Sequence, residues 1–220
     1  MPGAYNNNTL GLPGPRPPAF PGFDAGNNAP GFNGIDSVVT TGSVLLSNQS
    51  AFSMLGWFYQ TANQSNVRVG LFGQDNAIEF GFIAGGTLQL WSDSSHPGLD
   101  IPWDGSLNNS WVFAAAVGDG TNTYVYLNGA LAGSLFSPTG NYGVSANPFN
   151  IGGSVFGFDG SSYNGQIDEV TLFNNRALTA AEIGATYAAA FAVPEPTGLT
   201  LFTCGAIACG WFGLRRRLAN

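Results

Sequence analysis

Apolar residues in this chain fall in short runs separated by turn dipeptides: Asn33-Gly34, Asp104-Gly105, Asp119-Gly120, Asn128-Gly129, Asp159-Gly160 and Asn164-Gly165. Asn and Asp tolerate positive φ, so such pairs suit the tight turns that follow strand twist. Between them the pattern predicts strands over 35–40, 51–60, 67–72, 78–83, 87–91, 111–117, 123–127, 130–136, 149–152 and 166–173. The segment Thr123-Tyr124-Val125-Tyr126-Leu127 is β-branched or aromatic nearly throughout, which fits a pleated, half-buried surface. So many strands with no helical period between them predict an all-β antiparallel sandwich or jelly roll. Trp57 and Trp111 stand within apolar strands and are predicted core.

One helix breaks the pattern. Thr179-Ala180-Ala181-Glu182 has capping-box spacing, and Ala-rich sequence follows to about Ala190. Ile183 and Tyr187, four apart, give it one packing face. Val193-Pro194 ends it.

Composition narrows the class. Charged residues are 9 % of 220, hydrophobic residues 44 % and aromatics 13 %, ample for a core and unlike a disordered acidic chain. The net charge is −7; all six basic residues are Arg, and three of them stand at Arg215, Arg216 and Arg217. Up to Val193 the chain sets three Arg against twelve carboxylates, −9, so it offers no basic patch for nucleic acid. Both cysteines, Cys204 and Cys209, lie near the C-terminus, leaving the body without a disulfide.

The last residues read as a separate object. Residues 197–214 carry no charge, and eighteen residues of helix reach about 27 Å, close to a bilayer core of about 30 Å. A hydrophobic transmembrane helix is predicted there, with the Arg cluster on the cytoplasmic side. A buried C-terminal helix is the alternative. Pro194-Glu195-Pro196, the apolar span and the terminal Arg215, Arg216 and Arg217 together resemble the PEP-CTERM sorting signal of Gram-negative bacteria. The resemblance implies recognition by an exosortase, passage through the inner membrane as a transient or permanent anchor, and delivery to the cell surface or extracellular matrix. The N-terminus has no basic region followed by an apolar stretch, so the sequence is expected to lack an N-terminal piece.

The body carries a second resemblance. Trp111-Val112-Phe113, then Thr123 through Leu131, Asn150-Ile151-Gly152-Gly153, Gly165-Gln166-Ile167-Asp168-Glu169-Val170 and Ala177-Leu178-Thr179 follow the order and spacing of LamG-like domains. These are concanavalin A-like lectin/glucanase jelly rolls. The resemblance implies a concanavalin A-like sandwich over 23–192, after a Pro/Gly/Asn-rich segment 1–22 and before the sorting tail 193–220. One further N-terminal strand is usual in that family, and the Pro/Gly-rich start predicts none.

Candidate chemistry favours binding over catalysis. A glycosidase needs two carboxylates about 5–9.5 Å apart, which asks for E-x-D spacing on a strand; the four Glu residues form no such motif. Asp168 and Glu169 are expected on opposite strand faces. His96 is the single histidine, and neither G-x-S-x-G nor a phosphate-cradling loop is present. The stretch 91–109 combines aromatics with carboxylates and amides, as sugar sites do: Trp91, Trp103, Asp104 and Asn108 are the predicted ligand-binding residues. The alternative is that its Trp plugs one end of the sandwich. Calcium is common in related sandwiches, and the resemblance carries a metal role to Asp168. The expected function is a non-catalytic module for a polysaccharide or matrix glycan. A structural or adhesion protein with protein partners is the second reading and a glycoside hydrolase the third.

Overall fold

The computed structural model describes residues 3–65, 68–84, 86–93, 97–157 and 162–193. The strands in chain order are β1 (Ala4–Asn6), β2 (Thr9–Pro13), β3 (Asn28–Asn33), β4 (Val38–Thr40), β5 (Phe52–Tyr59), β6 (Arg68–Gln74), β7 (Ile78–Ile83), β8 (Thr87–Ser92), β9 (Leu99–Pro102), β10 (Trp111–Gly118), β11 (Asn122–Leu127), β12 (Ala130–Phe136), β13 (Asn150–Ile151) and β14 (Asn164–Asn174). Helix α1 spans Ala180–Ala189. The strands form two antiparallel seven-stranded sheets, β1-β4-β13-β6-β7-β8-β9 and β12-β11-β10-β5-β14-β3-β2, which face each other as a jelly-roll sandwich.

Alternation along the strands builds the core. In the first sheet Ile78, Phe80 and Phe82 of β7 point inward with Leu88 and Leu90 of β8. In the second, Met54 and Phe58 of β5 and Val112, Ala114 and Ala116 of β10 meet them. The alternate residues of β5 and β10 face the other way. Leu55, Trp57, Phe113 and Val117 form a second cluster with Leu178 and Ile183, because α1 lies across that outer face. The N-terminal loop adds Phe20 and Phe23, whose rings stand 5.1 and 5.8 Å from Trp57, while Tyr187 stacks on it at 5.8 Å. The second sheet is therefore covered on both faces at β5 and β10.

Helix α1 starts where the capping box predicts. The Thr179 hydroxyl accepts from the Glu182 N–H at 3.2 Å, and the Glu182 carboxylate accepts from the Thr179 N–H at 2.8 Å. The N-terminal segment differs from expectation: β1 extends the first sheet, and β2 with β3 extends the second. Hydrogen bonding there does not depend on a long apolar run. Sequence patterning also missed β9, whose Leu99 and Ile101 alternate over only four residues. Among the described residues no helix is long and apolar enough to cross a membrane. The predicted span 197–214, Pro194-Glu195-Pro196 and the Arg cluster lie outside the described residues, as does His96.

Candidate functional site

Rows of side chains cross the outer face of the first sheet, buried at their centre and half-buried or exposed at the Trp91 and Asp100 ends. Register fixes what stands there. Trp91 on β8 pairs with Glu79 on β7, Glu79 with Gly73 on β6, Gly73 with Asn150 on β13, and Asn150 with Thr40 on β4. One row of side chains thus crosses five strands, about 19 Å at ordinary strand spacing. A second row runs Asp100, Gln89, Gly81 and Gly70. At its open end the Gln89 amide donates to Asp100 at 2.7 Å.

Glycine in the middle of both rows has a steric cause. The loop after β13 folds back over the sheet, and a Cβ at Gly70 would run into the Val155 side chain. Val155 is fully buried there and Phe156 nearly so. The loop divides the face: half-buried Trp91 stands on one side and a pocket on the other.

Glu79 lies between them at 3 % exposure. Its carboxylate accepts from the Asn76 N–H at 2.9 Å and from the Arg68 guanidinium at 3.2 Å. That guanidinium also sits 4.8 Å from the centre of the Phe156 ring, which ties the loop to the sheet. Burial pushes the Glu79 carboxyl up to about 7, against the opposing pull of Arg68. Burial also raises Asp75, whose carboxylate accepts from the Asn147 amide at 2.6 Å and the Asn76 amide at 2.9 Å.

The pocket has a volume of about 370 Å³ and is lined by Thr40, Asp75, Asn147, Asn150 and Ser154 among others. Asn150 is 5 % exposed. Its amide N–H donates to the Ser154 carbonyl at 3.1 Å, while its side-chain oxygen is buried with no partner among the described residues. A buried acceptor without a donor is costly, by about 1–3 kcal/mol, and calls for a water or ligand hydroxyl.

The residues predicted from sequence fare unevenly. Trp91 stands on this face. Trp103 does not: it is 5 % exposed, its ring packs 5.6 Å from Phe58 and 5.3 Å from Phe82, and it plugs the core rather than offering a stacking surface. Asn108 is likewise consumed. Its oxygen accepts from Gln60 at 2.8 Å and from the Trp103 indole at 3.4 Å, and its amide donates to Asn63 at 2.8 Å. The pair anchors a network that continues through Gln60 to Gln64 and to the buried Tyr163 hydroxyl. Asp104 is exposed, accepts from the Ser106 N–H at 2.8 Å, and is held below the usual carboxylate range by Ser106. It caps a turn apart from the row described above.

Asp168 stands on β14, before a bulge that breaks pairing with β5 between Asp168 and Thr171. Glu169 within the bulge has φ of 52°. The Asp168 oxygens accept from the Asn27 amide at 2.8 Å and the Glu169 N–H at 3.0 Å, and burial raises its pKa. Among the described residues no three His, Cys, Asp or Glu side chains gather as a metal site. Both N–H donors suit a carboxylate anion at Asp168.

Sequence reasoning passed over Asp75, Asn147 and Asn150. No short motif joins them, since their meeting depends on three strands, β4, β13 and β6, lying side by side. The spaced glycines of β6 and β7 were the available signal.

Comparison with known proteins agrees with this architecture. The profile of the concanavalin A-like lectin/glucanases superfamily matches residues 33–184. Among solved structures, domain 4 of AbnA, an extracellular arabinanase from Geobacillus stearothermophilus seen with arabinotriose, is 24 % identical with a TM-score of 0.52. That match covers 82 % of this chain and 88 % of that one. Botulinum neurotoxin type C, whose cell entry depends on interaction with two ganglioside molecules, is 14 % identical with a TM-score of 0.53, over 86 % of this chain and 46 % of that one. The sialidase NanB from Streptococcus pneumoniae is 18 % identical with a TM-score of 0.54, over 75 % and 28 %. The chain thus spans less than half the length of the last two. No curated protein matches the sequence. The profile covers well over half of the chain and the sandwich has the expected topology: the protein belongs to the concanavalin A-like lectin/glucanases superfamily.

Proposed function

We propose that this protein is a non-catalytic glycan-binding module and that it binds on the outer face of its first sheet. The observation that carries the reading is the cross-strand row on that face. It begins at the half-buried Trp91 ring and leads to a polar pocket where the Asn150 oxygen lacks a donor. A sugar presents an apolar CH face and several hydroxyls; the first suits Trp91, and the second suits Asn150, Asp75 and the Gln89–Asp100 pair. Fold likeness to an arabinanase domain seen with arabinotriose supports a saccharide as the ligand class.

The way Glu79 is held supports binding without hydrolysis. It is buried beneath Arg68 and the Phe156 loop, and its oxygens already accept from Asn76 and Arg68. A general acid must reach the glycosidic oxygen, and a second carboxylate must flank the bond from the other side. The proposal extends to location: the Pro194-Glu195-Pro196 motif, apolar span and Arg cluster support export by exosortase sorting to a bacterial surface or matrix.

A glycan array probed with the protein tests the reading. Expected is a reproducible saccharide hit that Trp91→Ala weakens at least about tenfold while Asp104→Ala leaves it unchanged. A folded protein with no hit transfers the assignment to an adhesion role with protein partners. Release of reducing sugar from the bound saccharide would make it a hydrolase.

A further inference from the structure

The pocket beside β13 is particular about what its groups can receive. Asp75, in the turn after β6, stands half-buried on its wall. The two side-chain amides that donate to it, from Asn147 at 2.6 Å and Asn76 at 2.9 Å, both fall on Oδ2. Oδ1 receives neither. Among the described residues Asp75 enters no ion pair; the pairs there are Arg68–Glu79 and Arg176–Glu182. The loop after β13 leaves room beside this carboxylate because it passes at a glycine. Gly157 has φ of 67°, and a Cβ there would lie 2.6–2.8 Å from the three carboxylate atoms. The amides of the wall agree. Asn147 turns its nitrogen to Asp75, and Asn150 turns its own to the Ser154 carbonyl. Those bonds fix both amides with their oxygens left as acceptors, and the Asn150 oxygen is buried without a donor. The hydroxyls of Thr40 and Ser154 can either donate or accept.

We propose that this pocket takes the ammonium group of an amino sugar, so that the glycan bound is one with free, de-N-acetylated hexosamine units. The inference rests on the glycan reading and adds the charge of the ligand. A sugar hydroxyl brings one donor and two lone pairs, whereas an ammonium brings three donors and no acceptor. An N-acetyl group or a uronic carboxylate would bring a further oxygen to a wall of oxygens and leave acceptors facing one another. Burial works against the Asp75 anion, and a cation beside it offsets that cost. The molecule as a whole points the same way. Up to Val193 three Arg stand against twelve carboxylates, a field that draws in polycations and repels acidic glycans. Trp91, at the other end of the row, receives the apolar face of a second unit of the same polymer.

Calorimetric titration of the full chain in mild detergent, at physiological salt and about pH 6 where the amine is cationic, tests the proposal. Two hexamers are compared: fully de-N-acetylated glucosamine and its fully N-acetylated counterpart. The first is expected to bind at least about tenfold more tightly, the worth of one charge-assisted hydrogen bond. Asp75→Asn should bring the two within about threefold of each other, whereas Asp104→Asn, which removes the same charge elsewhere, should keep the preference. An oligolysine of equal charge should bind more weakly than the de-N-acetylated hexamer. Equal binding of both hexamers by the parent, or tighter binding of the N-acetylated one, overturns the proposal and leaves the glycan reading standing. So does a parent that binds neither hexamer but keeps another saccharide. A folded Asp75→Asn protein that retains the preference overturns the placement in this pocket. Oligolysine that binds as tightly as the hexamer, and depends on Asp75, replaces the amino sugar with a basic protein partner. A folded parent that binds no saccharide at all removes both readings.

Discussion

Glu79 and the two tryptophans Trp91 and Trp103 show how residues of one type take different roles from their surroundings. Glu79 is an acid whose folded pKa, about 7, lies above its ordinary 4.5. Between those values the folded protein holds a proton that the unfolded chain releases. Its contribution is therefore fully present below pH 4.5 and is lost as pH rises through 7, by up to about 3 kcal/mol. Denaturant unfolding from pH 5 to 8 should show stability falling, and Glu79→Gln should flatten that fall. Trp103 has its ring packed on Phe58 and Phe82 and its indole N–H on Asn108. Trp103→Ala should cost about 3–5 kcal/mol, as a large cavity does, whereas Trp91→Ala on the outer face should cost less than about 1 kcal/mol. Thermal melts of both variants give the comparison.

At the scale of elements, local chemistry and register divide the work. The capping box of α1 is written in four consecutive residues, so sequence alone places its start; Thr179→Ala should destabilise the protein by about 1 kcal/mol in chemical denaturation. Alternation likewise gave β7 and β12 their observed limits, because both are uninterrupted and bounded by turns. It missed β2 and β3, where Pro and Gly obscure strands held by pairing of β3 to β14 and of β2 to β3. It placed Trp91 on an open strand position but read Trp103 as a ligand contact. An indole in a polar loop looks the same in sequence whether it faces solvent or closes a core. The pocket residues Asp75, Asn147 and Asn150 were illegible for another reason. They lie far apart in the chain, and only β4, β13 and β6 side by side bring them together.

For the whole molecule, coverage decides where a ligand can go. α1 and the N-terminal loop close the outer face of the second sheet around Trp57, and the free edge β12 is uncharged and apolar. The outer face of the first sheet carries an aromatic ring, a locked Glu79–Arg68 pair and a polar pocket in one row.

The most direct measurement is titration of the best array saccharide into the protein and into Trp91→Ala, followed by calorimetry. The account predicts saturable binding by the parent, at least about tenfold weaker binding by the variant, and melting temperatures within about 4 °C of each other. Full-strength binding by a folded Trp91→Ala variant would contradict the placement of the site on this face.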